Sequence, residues 1–176
     1  RPPKPAMVTI APHPGVGIRP RQRGGLLDLP MGFLNDDRRG VYLAQQVDHG
    51  LWIPYSLMST QISPEVASNP FVIALGAADP GLTQRPLRAR EGSDLDQLLG
   101  RIEGAWLSPA LAPSPREVEG GIKALADLGI STIALHTEGL GQGSAPYRAL
   151  LLSLLGPPPP SAPGVEIYSL KREVGP

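Results

Sequence analysis

The chain has 176 residues and no net formal charge, with 41% hydrophobic and 18% charged residues. Those values fit one globular domain with a real core, and they exclude bulk disorder and charge-driven nucleic-acid binding. The absence of cysteine excludes a disulfide framework or thiolate metal site, and no stretch approaches the ~18–20 apolar residues of a transmembrane helix.

The chain has 22 prolines and 21 glycines, and the prolines cluster at the N-terminus, at 109–115 and at 157–163, where they mark connections. Aromatic residues are only 5% of the chain, so Leu, Ile, Val and Ala must build the core. The chain begins at Arg1 rather than Met. It is therefore read as a processed product or an excised piece, with any signal or membrane segment upstream.

Residues 1–24 form a Pro-rich arm in which Met7–Ile10 is a candidate short strand. Residues 1–39 carry seven basic side chains against three acidic ones, read as a solvated arm in preference to an anion-binding surface. Leu26–Leu29 is an apolar run stopped by Pro30, consistent with a buried strand. Asn35-Asp36-Asp37 is a cap-like cluster ahead of a short helix over Val41–Val47, which Gly50 stops. Trp52–Tyr55 reads as extended, with Pro54 limiting it to an edge or irregular segment. Ser63-Pro64-Glu65 starts a helix with Ser at the N-cap and Pro at N1. Asn69-Pro70 either ends that helix or opens a second one, and the apolar run Phe71–Ala78 follows it.

Residues 82–93 are a polar loop. Asp94–Gly100 predicts a short helix with Leu95, Leu98 and Leu99 on one face, and Ile102–Leu107 predicts a strand. The clearest unit is 114–136. Ser114, Pro115 and Glu117 make a capping box, Val118, Ile122, Leu125 and Leu128 recur at helical spacing, and Gly129 closes the helix. Ile130–Leu135 is then a β-branched buried strand. Ser144–Leu155 predicts a helix ended by Gly156. Val165–Leu170 alternates with period two, as a terminal strand with one exposed face does. Strands and helices interleave, so the fold class is α/β: a small, mostly parallel sheet flanked by helices, with an edge strand at the C-terminus. The expected organisation is an arm over 1–24, one domain over 25–170 and a tail over 171–176.

Three groups of residues are candidate sites. The Gly-rich segment Gly139, Gly141, Gly143 and Ser144 lies between a predicted strand and helix, where free backbone N–H groups attract anions. Its spacing fits neither common phosphate fingerprint, and Glu138 adds negative charge, so a flexible glycine loop is the plainer reading. His49, with Gln46 and Gly50 near a helix end, is a candidate acid, base or ligand, against a hydrogen-bonded structural histidine. His136 and Glu138 stand at the carboxyl end of the best strand, where ligands gather in open α/β sheets, and alternate residues of an extended chain share a face. No GxSxG, HxH or HExxH spacing occurs, no catalytic residue is assigned, and no motif implies a cofactor or metal.

Three segments taken together resemble a family. They are Gly25–Pro30; Tyr42 with Gln45–Gly50 and Ile53–Ser56; and Gly121–His136 with the closing Val165–Leu170. Their order is similar to the extracytoplasmic C-terminal domain of bacterial polytopic membrane glycosyltransferases of the C-type fold. Asp48 between Val47 and His49, and Tyr55-Ser56 in place of Gly-Tyr, depart from the family pattern. Such enzymes transfer sugars from polyprenyl-phosphate donors, and their catalytic acid lies in a loop of the membrane region, which this chain lacks. The resemblance therefore implies a non-catalytic accessory domain on the periplasmic side of a bacterial membrane. Its partner would be the membrane-embedded part of the same polypeptide, and it would help position a glycan acceptor or the polyprenyl-phosphate-sugar donor. Asp28, Gln46, His49 and Gly50 are the positions carried over. The alternatives are a stand-alone α/β enzyme binding a nucleotide or sugar phosphate at Gly139–Ser144, or a protein-interaction module.

Overall fold

A computed structural model describes residues 24–31, 34, 42, 51, 53, 62–82, 89–138 and 140–170. The expectations for the arm, the Asn35–Asp37 cap, the tail, and most of the 41–47 helix and the 52–55 segment fall outside the described residues.

Among the described residues three strands form one sheet in the order β1 (Gly25–Leu29), β2 (Ile130–His136), β3 (Val165–Ser169). β1 runs parallel to β2, and β3 antiparallel to it. The α/β class and the C-terminal edge strand are as expected, but among the described residues the sheet is mixed rather than mostly parallel. The helix that follows β2 and the Pro-rich connector 157–163 together return the chain to the end of the sheet that β2 has just left, where Val165 pairs with His136, and a strand that starts there runs antiparallel to its neighbour. β1 is buried at every position, and Ile133, Ala134 and Leu135 of β2 are fully buried.

Among the described residues there are five α-helices: α1 (Pro64–Ala67), α2 (Pro70–Ala77), α3 (Asp94–Leu107), α4 (Pro115–Asp127) and α5 (Ala145–Leu155); α4 packs on β2 and α5 on β3. Asn69-Pro70 opens a second helix. The Asn69 side chain accepts from the N–H groups of Phe71 and Val72, and Pro70 takes N1, where a missing N–H costs nothing. α2 is apolar on all sides, so it is buried all round; it packs on both α3 and α4. The expected strand at Ile102–Leu107 is instead the second half of α3. Leu95, Leu98 and Ile102 are the buried residues of that helix, spaced three and four apart, so one helical stripe runs through Gly100. A glycine inside a helix costs about 1 kcal/mol, less than the burial of Ile102 returns. The predicted capping box at Ser114 and Glu117 is formed as read.

Where α3 ends, Trp106, Leu107 and Leu111 remain exposed. The Trp106 indole N–H donates to the Ala77 carbonyl at 2.9 Å.

An ion pair ties α5 to β3. Arg148 donates from Nε and Nη2 to Glu166 Oε1 at 2.8 and 2.6 Å, and the Tyr168 hydroxyl donates to Oε2 at 2.9 Å. The Arg148 guanidinium, assisted by that hydroxyl, holds Glu166 below the usual carboxylate range. A carboxyl lowered by folding stabilises the fold above its unfolded pKa, and that contribution is lost as pH falls through the folded value. Arg148 is 41% exposed, so solvent screens the pair and the effect is modest. Acidification below the ordinary carboxylate range should therefore lower the melting temperature of the native chain more than that of Glu166→Gln. Parallel pH profiles for the two would show that the pair contributes nothing.

Candidate functional site: a buried aspartate–histidine pair at the strand ends

Sheet register creates the site. In the parallel ladder Asp28 stands opposite Ala134, so both side chains leave the sheet on the same face. His136 follows Ala134 by two residues and therefore shares that face. The result is a contact between residues 108 apart in sequence: His136 Nε2 lies 2.7 Å from Asp28 Oδ1. A carboxylate oxygen accepts and cannot donate, so Nε2 carries the proton. Asp28 is 2% exposed and His136 12%, which places the pair at the buried edge of the sheet with the imidazole on its outer side.

Tyr42 lies against the imidazole, with ring centroids 4.7 Å apart and planes inclined by 26°. Carboxylate and phenol ring together hold the imidazole in one orientation. Asp28 Oδ2 has no hydrogen-bond partner among the described residues.

A second buried polar group adjoins the first. Tyr147, in the first turn of α5, is fully buried. Burial and the neighbouring Asp79 carboxylate push its phenol well above the usual range, and Tyr42 adds to the effect. The Tyr147 hydroxyl has no hydrogen-bond partner among the described residues; Asp79 is close enough to act on it through space without offering a well-formed bond. Asp79 is itself buried, and its Oδ1 accepts from Gly81 N–H at 2.8 Å.

The predicted site residues separate into two sets. Asp28 and His136 are brought together. Glu138 is not part of that pair: Thr137 and Glu138 both donate their N–H groups to the Gly164 carbonyl, at 2.8 and 3.2 Å. The chain thereby turns away after His136, and the Glu138 side chain lies against Gly164. Gln46, His49, Gly50 and Gly139 lie outside the described residues. Gly141–Ser144 forms a 3-10 turn rather than an open loop. Within it Gly143 N–H donates to Leu140 O at 2.9 Å, and Ala145 N–H donates to Gln142 O. Those donors are spent inside the turn and are not presented to an anion. Ser144 is buried, and Gly143 backs onto Pro80.

Sequence reasoning missed Asp79 and Tyr147, and took Tyr42 only as part of a motif. A buried tyrosine at N3 of an Ala- and Leu-rich helix carries no local signal of its polar neighbours. Among the described residues no group of three or more His, Asp or Glu side chains could hold a metal ion. A separate groove of about 320 Å³, lined by Ile122, Ala126, Leu154, Leu155 and Leu170 with Glu119 and Lys123, shares no residue with the pair.

Comparison with protein-family models, with curated proteins and with solved structures yields no match.

Proposed function

We propose that this chain is an accessory domain on the extracytoplasmic face of a bacterial membrane, part of a polytopic glycosyltransferase of the C-type fold. In this reading it is not catalytic by itself. It works with the membrane-embedded part of the same polypeptide and helps to position a glycan acceptor or the polyprenyl-phosphate-sugar donor.

One observation supports this reading above the others. The motifs that carry the family resemblance are far apart in sequence, yet they supply the three strands of one sheet and meet at one point. Asp28 of the first motif bonds His136 of the last, and Tyr42 of the middle one packs on that histidine. A resemblance spread over unrelated surface positions would have no reason to converge in this way. The independent-enzyme alternative draws less support, because the turn at Gly141–Ser144 uses its own donors.

The test is genetic. Reading the coding DNA upstream of the Arg1 codon should reveal a series of apolar segments of about 20 residues each. A start codon close by, with no such segments in the reading frame, would overturn the proposal.

A further inference from the structure

The Asp28–His136 pair has a chemistry that narrows what it could bind. Because Asp28 accepts the Nε2–H, the other ring nitrogen, Nδ1, of a neutral imidazole carries a lone pair. Nδ1 has no hydrogen-bond partner among the described residues. It is therefore an acceptor looking for a donor. Tyr42 fixes the ring plane, so the lone pair points in one direction rather than sampling many.

The charge around this nitrogen selects against anions. A carboxylate is fixed 2.7 Å behind the imidazole, and no lysine or arginine among the described residues pairs with Asp28. Even with the ring protonated, the two groups together carry no net positive charge. A phosphate or carboxylate finds no net positive charge in the pair and meets a lone pair on the neutral ring, whereas an O–H donor gains a directed hydrogen bond.

A purely structural role accounts poorly for the pair. If its function were only to hold β1 against β2, two apolar side chains would do so at lower cost, because burying charge is expensive. The arrangement even leaves Asp28 Oδ2, on a 2% exposed residue, without a partner among the described residues. Such a cost makes sense where the orientation of the imidazole matters.

We propose that His136 is the ligand-contacting residue of a binding site for a neutral hydroxyl-bearing molecule, a sugar or simple polyol, with Nδ1 accepting from a ligand hydroxyl. Asp28 is the positioning residue that fixes the tautomer. This deepens the accessory-domain reading and rests on it only for the preference for a glycan. Upstream membrane spans could be present without this binding, and this binding without the spans, so the two tests fail separately.

The experiment is long-range 1H–15N spectroscopy of the histidine rings in the 15N-labelled 176-residue chain. His136 is distinguished from the other two histidines by its loss in His136→Gln. The ring should show the Nε2–H tautomer. Methyl glycosides of glucose, mannose and galactose, glycerol, and inorganic phosphate are then titrated in turn. A shift of Nδ1 with a glycoside supports a sugar site, and a shift with glycerol alone supports a simple polyol site. A shift with phosphate alone, or with none of these probes, overturns the proposal. Asp28→Asn should weaken the apparent affinity roughly 2- to 10-fold, the scale of one misoriented hydrogen bond. Unchanged affinity in a folded Asp28→Asn protein would overturn Asp28's role. If that variant does not fold, the native ring spectrum decides, because an Nδ1–H tautomer is incompatible with the site.

Discussion

Replacing Gly121 by alanine should destabilise the domain by about 2 kcal/mol, while the same change at the adjacent Gly120 should stabilise it by roughly 0.5–1 kcal/mol. Both glycines are in α4, and in an isolated helix both substitutions would help, because glycine loses more conformational freedom on folding than alanine does. Packing separates them. A Cβ on Gly120 would meet nothing within 4 Å. A Cβ on Gly121 would stand 2.7 Å from both the Asn69 Oδ1 atom and the Phe71 backbone nitrogen.

Those two atoms are themselves bonded to each other. Asn69 Oδ1 accepts from Phe71 N–H at 2.9 Å and from Val72 N–H at 3.2 Å, while its Nδ2 donates to the Gly121 carbonyl at 2.9 Å. One side chain thus caps α2 and docks that helix against the backbone of α4. The added methyl must push backbone away, and backbone cannot rotate aside as a side-chain tip can. Overpacking costs typically 1–3 kcal/mol and the weakened cap about 1 kcal/mol, against a propensity gain of about 1 kcal/mol. In thermal melts these changes correspond to a fall of roughly 4–8 °C for Gly121→Ala and a rise of up to roughly 4 °C for Gly120→Ala. Equal shifts for the two variants would mean that the α2–α4 approach is looser than described here.

The second large effect concerns the Asp28–His136 pair and is asymmetric. His136→Ala should cost about 3–5 kcal/mol, the usual penalty for leaving a buried charge without its partner. Asp28 is 2% exposed and its Oδ2 already has no partner among the described residues, so losing the imidazole strands the whole carboxylate. Asp28→Ala should cost less, about 2 kcal/mol, because the partly exposed His136 imidazole can hydrogen-bond to water instead. Replacing both with apolar residues of similar size should recover the whole loss, because no buried polar group then remains unpaired. Urea denaturation of the two single variants and the double variant, analysed as a cycle, measures this directly. A larger cost for Asp28→Ala than for His136→Ala would show that the carboxylate has other partners. A double variant as stable as the native chain would mean that the pair is retained for something other than stability.

Much of the local architecture was legible in the sequence because its signals act within a single turn. Ser63-Pro64 and the Ser114–Glu117 capping box set helix starts, Gly129 and Gly156 set helix ends, and β1, β2 and β3 fall where apolar and β-branched runs predict them. Asp28 and His136 were both marked as candidates, one through a motif and the other through its place at a strand end. Nothing in the sequence joined them, since their contact spans 108 residues and exists only because the parallel register sets Asp28 opposite Ala134. Tertiary contacts also carried α3 past Gly100 to Leu107, where the pattern suggested a strand, because burying Ile102 and bonding Trp106 to the Ala77 carbonyl offset the helix penalties of Gly100 and Gly104. The return direction of β3, the placement of Asp79 beside Tyr147, and the opposite fates of Gly120 and Gly121 belong to the same class. Caps and periodicity are short-range properties that the chain carries by itself. Register, close approach and buried polar contacts depend on which distant elements share the core, and only packing settles that.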